Sequence, residues 1–465
     1  MRARRVAILV LSVVAALVVA GCSDSDSGSA TGDENPVRGD WHGKIDIPGQ
    51  PLEVGVNFLS GDSATIDIPA QSTIDMPLGG VVAEPDRVEF TLPDIPGDPK
   101  FQGRYDADQG KITGDFTQSG QTFALNMEPG ALPAPARPQE PKPPYPYSSE
   151  DVTYPSGDIT IAGTLTEPEG AGPFPAVLML TGSGPQDRNE ELFGHKPFLL
   201  ISDTLTRAGY AVLRVDDRGV GGTGGKLDDA TYDDLAADAA AGLAYLRTRP
   251  DIDPARIGLF GHSEGGYLAP LIASKPDSGV AFAILMAGPS VPGGDVLIEQ
   301  NRALVAAGGA PPEEVDAQVA YITELTAAVR AGDREGAKQI ARTRNETLPE
   351  EQRMTEEQVD GLFTPSMTSF MTYDPAPALT ALRIPVLAFF GGKDLQVLPS
   401  QNEQPMRELL AADPDATVHT FPELNHLMQP AGMGLPSEYA SIETTVSPEV
   451  LDYVEAWLAQ RVPTS

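Results

Sequence analysis

The chain has 465 residues, more than one ordinary core accommodates, so two or more domains are expected. A formal charge of −34 and a single cysteine argue against a basic nucleic-acid face, an internal disulfide and a Cys/His zinc site. No Asp-x-Asp-x-Asp-Gly run marks a calcium loop, so neither metal nor organic cofactor is implied, and the acidity reads as a soluble, self-repelling surface.

The chain opens on Arg2, Arg4 and Arg5, followed by an apolar stretch, Val6–Ala20, too short for a comfortable membrane span. Val19-Ala20-Gly21-Cys22 resembles a bacterial lipobox. That resemblance implies a lipoprotein signal peptide over residues 1–21, a lipidated Cys22, and anchoring in the cell envelope at the outer face of the bacterial cytoplasmic membrane. Plain secretion is the alternative. Residues 22–36 then form a polar, flexible tether.

From Val37 to Pro129 apolar residues recur with a period of two. Leu52/Val54/Val56/Phe58, Val88/Phe90/Leu92, Phe101/Gly103/Tyr105, Ile112/Gly114/Phe116 and Phe123/Leu125/Met127 are such runs. Gly61-Asp62, Asp108-Gln109-Gly110 and Ser119-Gly120 punctuate them as hairpin turns do. The spacing predicts a small antiparallel β domain over 37–129, a barrel or a curled sheet, with Trp41 and Tyr105 in its core or at its rim. Pro133, Pro135, Pro138, Pro141, Pro143, Pro144 and Pro146 make 130–150 a semi-rigid spacer.

Over 151–465 strand and helix patterns alternate, as in an α/β protein with a largely parallel sheet. Strands are expected at Ile159–Thr166, Ala176–Thr181, Ala211–Val215, Ile257–Phe260, Ala281–Ala287, Val386–Phe390 and Thr417–Phe421. Helices are expected at Lys196–Ala208, Tyr232–Thr248, Gly265–Ser274, Gln401–Ala411 and Pro448–Gln460. Between Ala287 and Ile384 only helical patterns occur; Val315, Val319, Ile322, Leu325 and Val329 share one face. This is a helical lid inserted at about 291–375, or else a third, separate domain.

Gly261-His262-Ser263-Glu264-Gly265 lies between a predicted strand and a predicted helix, the setting of a nucleophile elbow. Ser263 needs a base, and the base an orienting acid. Of the two later histidines, His419 falls inside a strand and His426 in the loop beyond it, so His426 is the candidate base. Asp394, just past the strand Val386–Phe390, is the candidate acid; Glu423 is the other. The oxyanion donors are the N–H of Glu264 and that of Ser183, with Gly184 as the alternative. Asp187 and Arg188 line the pocket mouth or form a structural ion pair, and Asp217 to Gly221 shapes the loop beside the site.

Gly-Ser-Gly-Pro-Gln-Asp-Arg at 182–188, Asp-Arg-Gly-x-Gly at 217–221, Gly-His-Ser-Glu-Gly-Gly at 261–266, Gly-Gly-Lys-Asp at 391–394 and Asn-His at 425–426 together resemble the EstD-type esterases. These belong to the α/β-hydrolase superfamily and also carry an N-terminal β domain. The resemblance covers Trp41 to Trp457. It implies a carboxylesterase that uses Ser263, Asp394 and His426 on small-molecule esters of short-to-medium acyl chains, without metal or cofactor. One departure is Thr181, where such enzymes often have histidine. The same triad also cleaves amides, so a serine peptidase is the first alternative; a non-catalytic ligand- or wall-binding lipoprotein is the second. Nothing in the sequence marks an oligomeric state.

Overall fold

The computed structural model describes residues 35–47, 52–68, 73–93, 95, 97–133, 136–348 and 353–464. The expected signal peptide, Cys22 and nearly all of the tether lie outside them. The described residues form two compact units: 35–136 with Pro436–Glu443, and Arg137–Leu435 with 444–464. The division therefore falls inside the expected linker, and 436–443, expected in the second domain, belongs with the first unit.

The first unit is one nine-stranded antiparallel sheet: β1 (Gly39–Ile45), β2 (Leu52–Phe58), β3 (Ala64–Ile68), β4 (Thr73–Pro77), β5 (Gly79–Glu84), β6 (Arg87–Thr91), β7 (Lys100–Asp106), β8 (Lys111–Gln118) and β9 (Gln121–Pro129). Its order is β4-β3-β2-β1-β9-β8-β7-β6-β5. The two end strands are joined through Leu78 alone, so the sheet must curl until its edges nearly meet. The period-two residues Val54, Val56, Phe58, Val88, Phe90, Ile112 and Phe116 fill the interior. Trp41 is buried there, edge-on to Tyr105 at 6.0 Å.

The proline-rich segment acts as a spacer only in part. From Arg137 onward it packs on the second unit: Arg137 donates to the carbonyls of Phe193 and Gly194, Gln139 to that of Val446, and Tyr147 to Asp203. The segment then enters a strand that the sequence reading missed, β10 (Ser148–Ser156), because Ser, Glu, Asp and Pro mask its edge-strand character.

The second sheet has eight strands in the order β10-β11-β13-β12-β14-β15-β16-β17. They are β11 (Ile159–Glu167), β12 (Phe174–Leu180), β13 (Ala211–Val215), β14 (Ile252–His262), β15 (Ala283–Met286), β16 (Val386–Gly391) and β17 (Ala416–Phe421). From β13 to β17 all pairings are parallel. Along β12 alternate residues enter different cores: Ala176, Leu178 and Leu180 on one face, Val177 and Met179 on the other. That is why such strands read as continuous apolar runs. The first core is covered by α2 (Tyr232–Thr248) and α3 (Gly265–Ala273), the second by α1 (Pro197–Arg207) and α11 (Pro448–Arg461). A capping box starts α2: Asp234 accepts from the N–H of Thr231 at 2.8 Å, and Thr231 Oγ1 from that of Asp234.

Among the described residues six helices intervene between β15 and β16: α4 (Gly293–Ala307), α5 (Pro312–Arg330), α6 (Arg334–Glu346), α7 (Glu356–Gly361), α8 (Pro365–Thr372) and α9 (Ala376–Ala381). Val315, Ile322, Leu325 and Val329 of α5 are buried, and Gly332 follows with φ +73°, the left-handed stop expected of a C-terminal glycine. The insertion belongs to the same compact unit as the sheet. The last helix before β17 is α10 (Pro399–Leu409).

Candidate active site

β14 delivers Ser263 at the carboxyl edge of the sheet in a left-handed conformation, φ +52°. A non-glycine residue holds that conformation only if its surroundings enforce it. The Ser263 N–H donates to the Met286 carbonyl at 2.9 Å, and the Gly266 N–H donates to the Ser263 carbonyl at 2.8 Å. The adjoining glycines are required by contact. A Cβ on Gly261 would lie 2.1 Å from the Gly265 oxygen, one on Gly265 2.2 Å from the Leu180 oxygen, and one on Gly266 2.4 Å from Gly288 Cα. The turn thus closes against both neighbouring strands, and the half-buried Ser263 keeps contact with solvent.

Asp394 and His426 arrive from the ends of β16 and β17. His426 Nδ1 and Asp394 Oδ2 are 2.8 Å apart, with the residues only 4% and 2% exposed. The other carboxylate oxygen, Oδ1, accepts the N–H groups of Gln396 (2.7 Å) and Val397 (2.9 Å), which fixes its plane. With Nδ1 donating to Asp394, Nε2 is the imidazole's free, basic nitrogen. The histidine loop is itself held from within: Asn425 Oδ1 accepts from the N–H groups of Leu427 (3.0 Å) and Gln429 (2.9 Å). Gly391 and Gly392 let this loop close on the aspartate loop, since a Cβ on either would meet a carbonyl of Leu424, Asn425 or Pro422 at 2.4 Å. The alternatives lie elsewhere. Glu423 is 76% exposed and paired to Lys393 at 2.7 Å, and His419 sits in β17 stacked on Tyr453. Among the described residues no hydrogen bond joins Ser263 Oγ to His426; such a contact commonly tightens only when substrate is engaged.

The loop after β12 is riveted by two aspartates. Thr181 donates its hydroxyl to Asp217 Oδ1 at 2.8 Å, and the Gln186 N–H donates to Asp217 Oδ2 at 2.9 Å. Asp216 takes the Arg188 N–H at 2.9 Å and its guanidinium at 2.7 and 3.0 Å. Arg188 is thus a structural ion pair, while Asp187 caps the turn through the N–H of Glu191 at 2.8 Å. Thr181, in place of histidine, serves as an anchor of the loop. A Cβ on Gly182 would lie 3.5 Å from Ser263 Cβ, so the loop reaches the elbow. The N–H groups of Ser183 and Glu264 make no hydrogen bond within the described protein, which leaves both available to an oxyanion.

The sequence reading assigned no role to Glu190 and His262. Glu190 is fully buried, with φ +53°. Its Oε1 accepts the Gly182 N–H at 2.7 Å and lies 2.8 Å from His262 Nδ1. His262 Nε2 donates to the His426 carbonyl at 3.2 Å; a carbonyl only accepts, so Nε2 carries a proton. Burial opposes a charged imidazole here, but Glu190 and the His426 carbonyl outweigh it and raise the pKa of His262. Glu190 and His262 therefore tie together the loop after β12, the turn at Ser263 and the loop of His426. His262 falls within the Gly-His-Ser-Glu-Gly-Gly motif, whereas Glu190 lies outside the motifs and carried no sequence signal. Glu264 is a second omission: its carboxylate accepts from Tyr232 at 2.8 Å, and burial pushes its pKa up to about 7 against that bond.

A serine on a left-handed turn between a central parallel strand and a helix, with a histidine–aspartate pair beyond the following strands, defines a serine hydrolase of the α/β-hydrolase fold. More narrowly, the chain belongs to the X-Pro dipeptidyl-peptidase (S15) family, whose model matches residues 157–420. It is 29% identical to esterase EstD of Thermotoga maritima over 312 residues, 65% of this chain and 67% of that protein. It is also 31% identical to the uncharacterized peptidase YuxL of Bacillus subtilis over 140 residues, 27% of this chain and 20% of that one. Among solved structures, the Pyrococcus furiosus esterase Pf2001 aligns over 72% of this chain and 99% of its own, with TM-score 0.44 and 15% identity.

Two expectations follow. A carboxyl that stays protonated to about pH 7 when folded, but ionises near its ordinary value of about 4.3 when unfolded, stabilises the fold fully only below the latter. That contribution, at most about 4 kcal/mol, erodes as pH rises and is gone above pH 7. Glu264→Gln keeps an acceptor for Tyr232 without the proton, so urea unfolding at pH 5 and pH 8 should show a smaller loss for the variant than for the native chain. Equal losses would remove Glu264 from this account. Glu190→Gln should lower kcat for an activated ester by about 10-fold or more while KM changes less than about 3-fold, because it misaligns loops and leaves binding surface intact. A rise in KM alone would refute that positioning role.

Proposed function

We propose that this protein is a carboxylesterase working through an acyl-enzyme, with Ser263 as nucleophile, His426 as base and Asp394 as orienting acid. The observation that carries the reading is the buried 2.8 Å pair of His426 and Asp394 at the sheet edge where the strained Ser263 turn emerges. In the first step His426 Nε2 takes the Ser263 proton as Oγ bonds to the ester carbonyl carbon. The N–H groups of Glu264 and Ser183 receive the oxyanion, and collapse expels the alcohol, protonated by His426. Water, deprotonated by the same imidazole, then attacks the acyl-enzyme, and the acid leaves with Ser263 restored.

A cavity of ≈ 60 Å³ is lined by Gly182 and Glu264, the latter next to Ser263 in the turn, but not by Ser263 or His426 themselves. The likeness to esterase EstD supports ester over amide substrates. Family membership supports the second reading, a peptidase. Ser263→Ala and His426→Ala should each lower kcat by roughly 10⁴–10⁶, and Asp394→Asn by about 10⁴. The purified enzyme should hydrolyse p-nitrophenyl butyrate faster than Ala-Pro-p-nitroanilide. Near-native turnover in a variant would strip that residue of its role, and faster anilide cleavage would transfer the enzyme to the peptidases.

Lipid anchoring at Cys22 belongs to the same proposal, supported by the lipobox resemblance and the polar stretch after it. Two or more acyl chains hold a protein stably at a bilayer where one does not. Cys22→Ser should move the protein from the membrane fraction to the soluble fraction of the cell. Retention of the variant on membranes would show that the thiol is not the anchor.

A further inference from the structure

β13 is apolar except at one position. Ala211, Val212 and Leu213 enter the core, and Arg214 is buried beside them at 3% exposed. Its Nη1 donates to the Asn189 side-chain oxygen, while its Nε is buried without an acceptor. Among the described residues no carboxylate pairs with it. Burial draws its pKa down only to about 10, so it is charged at neutral pH. The neighbouring acids are committed to other partners. Asp216 and Asp151 hold Arg188 at 2.7 and 2.9 Å, Glu140 holds Lys196 at 3.1 Å, and Asp187 binds the Asn189 amide at 3.0 Å. A buried guanidinium without a counter-charge is costly, and in a chain of charge −34 carboxylates are not scarce.

Arg214 lines a groove of ≈ 710 Å³, within the range of small-molecule sites. Tyr145 and Tyr147 line it too, stacked with centroids 5.2 Å apart and planes within 4°. The hydroxyl of Tyr147 is fixed on Asp203 at 2.7 Å. Neither Ser263 nor His426 lines this groove. A guanidinium selects carboxylates through paired N–H groups, and a tyrosine face selects flat rings. The groove is also lined by the acids Glu140, Asp151, Asp187 and Asp216 and the cations Lys142, Arg188 and Lys196, and Arg188 and Lys196 are already paired with Asp151, Asp216 and Glu140.

We propose that this groove is a second binding site, for a small aromatic monocarboxylate whose carboxylate pairs with Arg214 and whose ring lies against Tyr145 and Tyr147. The test is calorimetric titration of the full-length protein with sodium benzoate at constant ionic strength, with acetate as the ringless control. Benzoate should bind at least about 10-fold tighter than acetate. Arg214→Met should weaken benzoate at least about 10-fold, and Tyr145→Ala should bring benzoate down to the level of acetate. Tyr145 is only half-buried, so its variant carries the test if Arg214→Met does not fold. Prior reaction with a fluorophosphonate should leave benzoate binding unchanged. No preference over acetate, binding indifferent to both substitutions, or loss of binding on phosphonylation would each overturn the site.

Discussion

Backbone contact between glycines at the end of β14 is the constraint from which the rest of the site follows. At Gly261, Gly265 and Gly266 the atoms that a methyl group would strike are main-chain atoms of Gly265, Leu180 and Gly288, none of which can rotate aside. The turn is therefore pressed between β12 and the segment after β15, and the strain of Ser263 at φ +52° is imposed from both sides. Strain of that kind costs about 1–3 kcal/mol and persists only where the surroundings leave no relaxed alternative. The histidine side repeats the device, with Gly391 and Gly392 against the carbonyls of residues 422–425. Two sets of close backbone contacts thus place the serine and the imidazole independently of each other.

What couples the two halves is polar and buried. Glu190 and His262 bridge from the Gly182 N–H to the His426 carbonyl, and Asp216 and Asp217 pin the intervening loop. In a low-dielectric interior such hydrogen bonds are strong when complete and expensive when broken. The strongly acidic composition is therefore not only a surface property. Several of the acids nearest the site are spent as acceptors that hold loops in register.

The parts of the fold that were legible in the sequence are those with local causes. The helix over Tyr232–Thr248 shows in its local pattern, the alternation in β2 and β8 in its period, and the elbow in glycines flanking a serine. Asp394 and His426 could be chosen because chain order and position after a strand are also readable along the chain. Glu190 could not, since nothing near it in sequence tells that its carboxylate meets His262, 72 residues away. β10 was hidden for a related reason: its pairing partner β11, and not its own polarity, makes it a strand. The docking of the linker from Arg137 onward likewise depends on carbonyls of Phe193, Gly194 and Val446, contacts that proline content does not encode.

The helical insertion is bound to the site by the same kind of long-range contact. Its entry and exit are tied to each other where the Gly293 N–H donates to the Tyr373 carbonyl at 3.1 Å, and a Cβ on Gly293 would lie 1.9 Å from the Phe370 oxygen. Both ends also meet α3: Tyr267 donates to the Val291 carbonyl and packs its ring on Phe370 and Tyr373. Tyr232, which holds Glu264, completes this aromatic cluster. Beyond the neck, α4 to α8 share a core of their own, built on Leu297, Ile322, Leu325, Val329 and Phe363. The neck is not its sole attachment: Leu304, Val305 and Val315 of α4 and α5 pack with Leu395 and Leu435, and Gln401 donates to the Asp295 carbonyl at 2.8 Å. At the neck, Tyr267 and Tyr232 join the ends of the insertion to Glu264, the residue that follows Ser263.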